Sequence, residues 1–227
     1  ENFLNKSEEL VSIILPTYNE GKNIEKLIKN IFDYFKEYKL EIIVVDDESK
    51  DGTIGIVKEL AKRDSRIRLI LRLDRSGLSS AIKEGIINAS GNIACVIDTD
   101  GQVQVSDLKK AFLHLKNKEL DVVIGSRFLA NSNVTGLSKE RSLGSSIAND
   151  LCRISLPNKY RHITDYQSIC MAINLSKVLP IIYKVDVNGF KFFYEMLAIS
   201  KGSLNIDDVA LNFLPRIHGN SKLDLAI

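Results

Sequence analysis

Short apolar runs alternate with amphipathic stretches through the first half of the chain. Val11–Leu15, Glu41–Val45, Ile67–Leu71, Ile93–Ile97 and Val122–Gly125 read as five buried strands. Between them the apolar positions fall at helical spacing. Ile24, Leu27, Ile28, Ile31, Phe32 and Phe35 form the first such face, and Ile56, Val57, Leu60 and Ala61 the second. Leu78, Ala81, Ile82, Ile86 and Ala89 form the third, and Ser106–Lys116 reads as a fourth helix. Continuous apolar strands separated by helices imply an α/β fold with a mostly parallel central sheet and helices on both faces. The second half predicts helices near Ser138–Cys152, Leu175–Ile182 and Phe190–Ser200 and a late strand near Val209–Phe213. No Pro/Gly-rich linker or internal repeat interrupts it, so residues 1–227 read as a single domain with halves of about 10–128 and 129–227.

Open α/β sheets bind ligands in the crevice beyond the carboxyl ends of their strands, so the residues after each strand carry the chemistry. Pro16-Thr17-Tyr18-Asn19-Glu20 follows the first strand and Asp46-Asp47-Glu48-Ser49 the second. Asp98-Thr99-Asp100-Gly101-Gln102 follows the fourth and Gly125-Ser126-Arg127 the fifth. Acidic clusters gathered on one edge repel unless a cation sits among them. Mg²⁺ or Mn²⁺ is typically shared between one or two carboxylates and substrate phosphates, a role that suits Asp98 and Asp100, with the Gln102 amide oxygen as a further ligand. Asp46 and Asp47 could accept hydrogen bonds from the N–H groups of a base. Each motif also has a plainer reading: Asp-x-Asp as a solvated turn, and Asp51-Gly52-Thr53 as a turn and helix cap. No Gly-x-Gly-x-x-Gly follows the first strand and no P-loop occurs, which disfavours dinucleotide oxidoreductases and Walker-type NTPases.

Composition adds limits. A formal net charge of +2 gives no general polyanion binding, so no nucleic-acid partner is expected. Cys95, Cys152 and Cys170 are far apart and odd in number, which fits a reducing compartment better than a disulfide framework. No apolar stretch approaches the roughly 20 residues that cross a bilayer, and the N-terminus lacks a signal-peptide pattern. The chain is therefore expected to touch a membrane without spanning it.

Val-Ser-Ile-Ile-Leu-Pro-Thr-Tyr-Asn-Glu (11–20), Val-Val-Asp-Asp-Glu-Ser-x-Asp-Gly-Thr (44–53), Gly-Leu-Ser-Ser-Ala (77–81) and Asp-Thr-Asp-Gly-Gln (98–102) resemble family 2 glycosyltransferases of GT-A fold. Gly-Ser-Arg-Phe (125–128) and Phe-Leu-Pro-Arg-Ile-His-Gly-Asn-Ser-Lys-Leu (213–223) narrow the resemblance to dolichol-phosphate mannose synthases and polyprenyl-phosphate glucosyltransferases. It runs from about Val11 to Leu223. The resemblance implies inverting transfer of a hexose from a nucleotide-diphospho-sugar to dolichyl or another polyprenyl phosphate. GDP-mannose comes first as donor, UDP-glucose second, and UDP-N-acetyl sugars behind. It implies that Pro16, Tyr18, Glu20, Asp46 and Asp47 hold the nucleoside, and that Asp98, Thr99, Asp100 and Gln102 meet the diphosphate and an Mn²⁺ or Mg²⁺ ion. Arg127, Arg141 and Ser145 would face the acceptor phosphate, and Arg216, Ser221 and Lys222 would close over the donor. Gly189-Phe190-Lys191 and Glu195 fall on the same pattern.

An acceptor phosphate is already ionised near neutral pH, so no catalytic histidine is needed, and His114, His162 and His218 read as surface or packing residues. The implied location is the cytoplasmic face of a membrane, with room for membrane helices beyond residue 227. Two departures stand out. Val103-Gln104 follows the metal motif where the family usually has His-Pro, and Asp165-Tyr166-Gln167-Ser168-Ile169-Cys170 replaces Asp-Pro-x-Ser-Gly-Phe. Two other classes stay open at the level of sequence. Asp98-Thr99-Asp100-Gly101 also looks like the start of a haloacid-dehalogenase-type phosphohydrolase, although three βα units precede it here. A catalytically silent nucleotide-sugar binding protein is the other. The segment 213–223 reads as a basic loop that folds over the diphosphate when donor binds.

Overall fold

A computed structural model describes residues 9–74, 77–136, 139–186 and 191–216, with the side chains of 139–143 outside the description. The chain runs β1 (Leu10–Thr17), α1 (Ile24–Tyr34), β2 (Lys39–Asp46), α2 (Thr53–Arg63), β3 (Ile67–Leu71), α3 (Leu78–Ile87), β4 (Ile93–Val96), α4 (Val105–Lys118) and β5 (Val122–Ser126). It continues through β6 (Asn133–Val134), α5 (Lys139–Ser155), a 3₁₀ turn at Asn158–Tyr160, β7 (Met171–Asn174), α6 (Leu175–Ile182), α7 (Phe192–Ser200), β8 (Ile206–Ala210) and β9 (Asn212–Phe213).

Among the described residues seven strands form one sheet in the order β3-β2-β1-β4-β7-β5-β8, and β6 and β9 pair as a small second ribbon. Neighbouring residues on the central strands feed opposite faces, as the two-residue period of a strand requires. Ile13, Leu15, Ile42 and Val44 join one core with α1, α2 and α4, built on Ile24, Ile31, Val57, Leu108 and Phe112. Ile14, Ile43 and Val45 join the other with α3, α6 and α7, built on Ile82, Ile86, Val178, Ile182, Phe193 and Met196. Burial on both faces explains why these strands read as unbroken apolar runs.

The second half differs from its sequence reading in its strands. β7 was not expected. It lies antiparallel between β4 and β5, and it is four residues long with α6 starting at the next residue, so no turn signal announces it. The late strand is two strands: β8 pairs in parallel with β5, and β9 leaves the sheet to pair with β6. Asp207 and Asp208 interrupt the apolar pattern of β8, an edge strand where such charges are tolerated.

Candidate active site

The ends of β1 and β2 lie side by side, Thr17 opposite Asp46. Their loops are latched together. The Asn19 N–H donates to Ser49 Oγ at 2.7 Å, and the Lys50 N–H donates to Asn19 Oδ1 at 2.8 Å. Asn19 sits at φ 54°, a left-handed conformation that asparagine tolerates better than most residues. Asp51 accepts from the Thr53 N–H at 3.1 Å and from the Gly21 N–H at 2.8 Å, so it starts α2 and ties down the β1 loop together. Gly52 between them is at φ 95°, which only glycine adopts cheaply.

The two aspartates at the end of β2 are both engaged. Asp46 is fully buried and accepts from Ser49 N at 2.8 Å and Ser49 Oγ at 2.7 Å, while burial raises its pKa. Asp47 pairs with Arg72, whose Nε lies at 2.6 Å, and accepts the Gly77 N–H at 3.0 Å. Arg72 also donates to Gly77 O at 2.9 Å and Ser80 Oγ at 2.6 Å, joining the ends of β2 and β3 to the start of α3. Sequence reasoning missed Arg72, although it follows a strand directly and the strand-end rule reaches it. Buried Glu20 accepts from Asn23 Nδ2 at 2.7 Å, and the buried Pro16 carbonyl accepts from Thr99 Oγ1 at 3.3 Å. Tyr18 is half-buried beside them.

Beyond β4, the Asp98 and Asp100 carboxylates lie close enough to repel. Burial first, and the neighbouring Asp100 charge second, push the Asp98 carboxyl up to about 7. Glu20 adds to the repulsion, while the Thr99 N–H, 2.8 Å from Asp98 Oδ1, and Arg216 relieve it. Asp100 is nearly buried, accepts from the Gln102 N–H at 3.0 Å, and forms an ion pair with Arg216 at 2.8 Å. Among the described residues no three His, Cys, Asp or Glu side chains converge on one point. Two closely spaced carboxylates and one amide oxygen suit a hard cation that would take its other ligands from a diphosphate.

The basic segment after β9 is anchored to this loop. Leu214 N–H donates to Gln102 O at 2.8 Å, Gln102 Nε2 donates to Leu214 O at 3.1 Å, and Val103 bridges Phe213. Arg216 Nη2 is thereby brought to 3.3 Å from Gln102 Oε1.

At the end of β5, Arg127 is held by Asp165, with Nε at 2.7 Å and Nη2 at 2.9 Å from its two oxygens. The guanidinium lies 5.5 Å and 5.6 Å from the ring centroids of Phe128 and Phe213. The segment 165–170 keeps a defined shape without the proline and glycine of the resemblance. The Tyr166 N–H donates to Asn149 Oδ1 at 2.9 Å, its hydroxyl donates to Tyr160 O at 2.8 Å, and its ring is fully buried. Sequence reasoning singled out Asp165 only as part of a departure and not as the partner of Arg127; Asn149 it did not single out at all.

Ser145 lies half-buried on α5. Arg141 is on the same helix, but its side chain, together with Ser221, Lys222, His218 and Gly189-Phe190, lies outside the described residues. Lys191 starts α7, and Glu195 accepts the Asp186 N–H at 2.5 Å. His114 contacts Asp207 at 2.7 Å and His162 contacts Ile206 O at 2.9 Å, so both are tied to β8.

The profile of Glycosyl transferase family 2 matches residues 12–179, which covers the loops after β1 and β2, the acidic pair and Arg127. The chain belongs to this family. Membership sets aside the phosphohydrolase reading of the acidic motif. The family 2 chain is 36% identical over 215 residues to a dolichol-phosphate mannosyltransferase of Pyrococcus furiosus, a match covering 94% of this chain and 59% of the relative. It is 33% identical over 143 residues to a dolichyl-phosphate beta-glucosyltransferase of Trichomonas vaginalis, covering 57% of this chain and 43% of that one. The chain thus spans about three fifths of the length of the archaeal relative. Among solved structures, glucosyl-3-phosphoglycerate synthase from Mycobacterium tuberculosis, in complex with Mn²⁺, UDP and phosphoglyceric acid, superposes with a TM-score of 0.65 at 19% identity. That match covers 95% of this chain and 72% of the synthase. The shared architecture is the GT-A fold.

Proposed function

We propose that this chain transfers a hexose, mannose from GDP-mannose first, onto a polyprenyl phosphate at a membrane surface, with inversion at the anomeric carbon. The observation that carries the reading is the Asp98–Asp100 pair. It sits at the end of β4, two carboxylates close enough to repel, beside the latched β1 and β2 loops. Asp98, Asp100 and Gln102 would hold Mn²⁺ or Mg²⁺, which when bound screens the diphosphate and stabilises its departure. The mycobacterial neighbour of the same fold carries Mn²⁺ with UDP, which supports this assignment.

The rest is positioning. Pro16, Tyr18, Glu20 and the Asp47–Arg72 pair line the nucleoside side, with Asp46 shaping the turn beneath. Arg127, fixed by Asp165, faces the acceptor phosphate together with Arg141 and Ser145, where a guanidinium fork matches phosphate oxygens. That phosphate is ionised near neutral pH, so its oxygen attacks without a general base, and the leaving diphosphate is received by Arg216, Ser221 and Lys222. A membrane surface is supported by α5, where Ile147, Leu151 and Ile154 are exposed at helical spacing on the helix that carries Arg141 and Ser145. No helix among the described residues is long and apolar enough to cross a bilayer.

UDP-glucose is the second donor, favoured by the glucosyltransferase relative. The test is a transfer screen: GDP-mannose, UDP-glucose and UDP-N-acetylglucosamine, each with a short polyprenyl phosphate in vesicles and Mn²⁺ or Mg²⁺. Metal-dependent mannosyl-lipid formation that Asp100→Ala abolishes is the expected result. Tight donor binding with no transfer to lipid from any donor would instead point to a silent nucleotide-sugar binding protein.

A further inference from the structure

Arg216 contacts two of the three side chains that the metal reading above assigns to a cation. Its Nη2 lies 2.8 Å from Asp100 Oδ2 and 3.3 Å from Gln102 Oε1. The placement comes from the backbone and does not depend on the long side chain alone. Phe213 bridges Val103, and Leu214 exchanges two hydrogen bonds with Gln102, one through its N–H and one through its carbonyl. β9 is fastened in turn to β6, Asn212 opposite Asn133 and Phe213 opposite Val134. The guanidinium is therefore delivered to Asp100 by a strap whose last anchored residue is two positions away. The Asp100 side chain is only 3% exposed and that of Arg216 23%, so solvent screens the pair weakly.

A guanidinium and a divalent cation cannot both draw on one carboxylate's charge at full strength. We propose that Arg216 is the resident counter-ion of the metal-binding loop, and that it passes from Asp100 to the donor diphosphate when the cation takes Asp100. The consequence is thermodynamic. Metal entering alone must displace Arg216 without giving it another anion. Metal entering with a nucleoside diphosphate offers Arg216 new phosphate oxygens in exchange. Metal and nucleotide then raise each other's affinity by the same factor, since coupling between two ligands is reciprocal. The tethering of Phe213 and Leu214 keeps the Arg216 side chain beside the acidic loop during this exchange. This differs from a loop that closes only over bound donor, because the strap is fastened to the acidic loop by its own hydrogen bonds.

The experiment measures Mn²⁺ binding by the loss of its free-ion electron paramagnetic resonance signal, with Mn²⁺ alone and then with GDP or UDP. Arg216→Ala should bind Mn²⁺ alone at least tenfold more tightly than the unaltered protein. It should also show a smaller gain on adding the nucleotide. Arg216→Lys, which keeps the charge and loses the fork, should fall between the two and guards against a folding defect in the alanine variant. Equal or weaker Mn²⁺ affinity in Arg216→Ala overturns the counter-ion role while leaving the metal site standing. Failure of every form to bind Mn²⁺, even with GDP or UDP present, overturns the metal assignment on which this inference rests.

Discussion

Asp165→Ala should be among the most damaging single changes near the site, and the structure says why. The Asp165 side chain is fully buried and that of Arg127 is 14% exposed. One carboxylate accepts from Arg127 Nε, Nη2 and backbone N–H, and also from the Gln167 N–H at 3.2 Å. Deleting it strands a guanidinium beside two aromatic rings, with little water to replace the lost partner. Removing one member of a buried ion pair costs about 3–5 kcal/mol, mostly because the other charge is left uncompensated. The slight exposure of Arg127 argues for the lower end, about 3 kcal/mol. In a domain of this size that lowers the melting temperature by roughly 6–12 °C.

Urea unfolding of the single variants Asp165→Ala and Arg127→Ala and of the double variant measures this directly. The double variant should be less destabilised than the sum of the two, because neither charge is then left alone. If Asp165→Ala costs less than about 1 kcal/mol, or if the two effects simply add, the pair is not the buried clamp described above.

Three further outcomes follow from the geometry. Gly85→Ala on α3 places a Cβ 2.3 Å from Ile14 Cγ2 and 3.2 Å from Val45 Cγ2, and the overpacking should cost about 1–3 kcal/mol in the same urea assay. Asp98, pushed up to about 7, holds a proton in the folded protein that the unfolded chain releases near 4. Stability of the metal-free protein should therefore fall as pH rises between those values, and Mn²⁺ binding should release roughly one proton at pH 6 and little at pH 8, which calorimetry in two buffers detects. Gly136→Ala brings a Cβ within 2.0 Å of Leu214 O, so it should weaken the strap's hold on Gln102 and speed amide hydrogen exchange at Leu214.

The sheet of the first half was legible because each strand is buried on both faces and each helix has one apolar side, so periodicity alone separates them. The same logic located the loops that carry Pro16–Glu20, Asp46–Asp47 and Asp98–Gln102. It did not reveal which atoms those residues spend on each other. Asp46 reads as a ligand in sequence, yet both its oxygens accept from Ser49 three positions on, a turn that Asp-x-x-Ser spacing allows and does not announce. Arg72 and Asp47 are 25 residues apart, and Arg127 and Asp165 are 38 apart. Such pairings depend on β2 and β3 lying side by side, and on β7 entering antiparallel to bring the 165–170 segment back to β5. β7 gave no signal of its own, so the Arg127 clamp was hidden with it.

That order of dependence bears on the altered segment 165–170. Replacement of the family's proline and glycine by Tyr166 and Ile169 reads in sequence only as a changed loop. The structure shows a different solution. Tyr166 buries its ring in the second core, sends its hydroxyl to Tyr160 O and its backbone N–H to Asn149. Tyr160 in turn bonds Ser200 Oγ at 2.6 Å and accepts the Leu204 N–H at 3.1 Å. A buried aromatic with its polar end satisfied fixes a loop through packing, where proline fixes it through φ and glycine through close approach. Asp165 is held one residue before that anchor, and Arg127 is held by Asp165. The departure thus replaces one means of rigidity with another, and it connects Arg127 to α5 and α7 through side chains that the family motif does not contain.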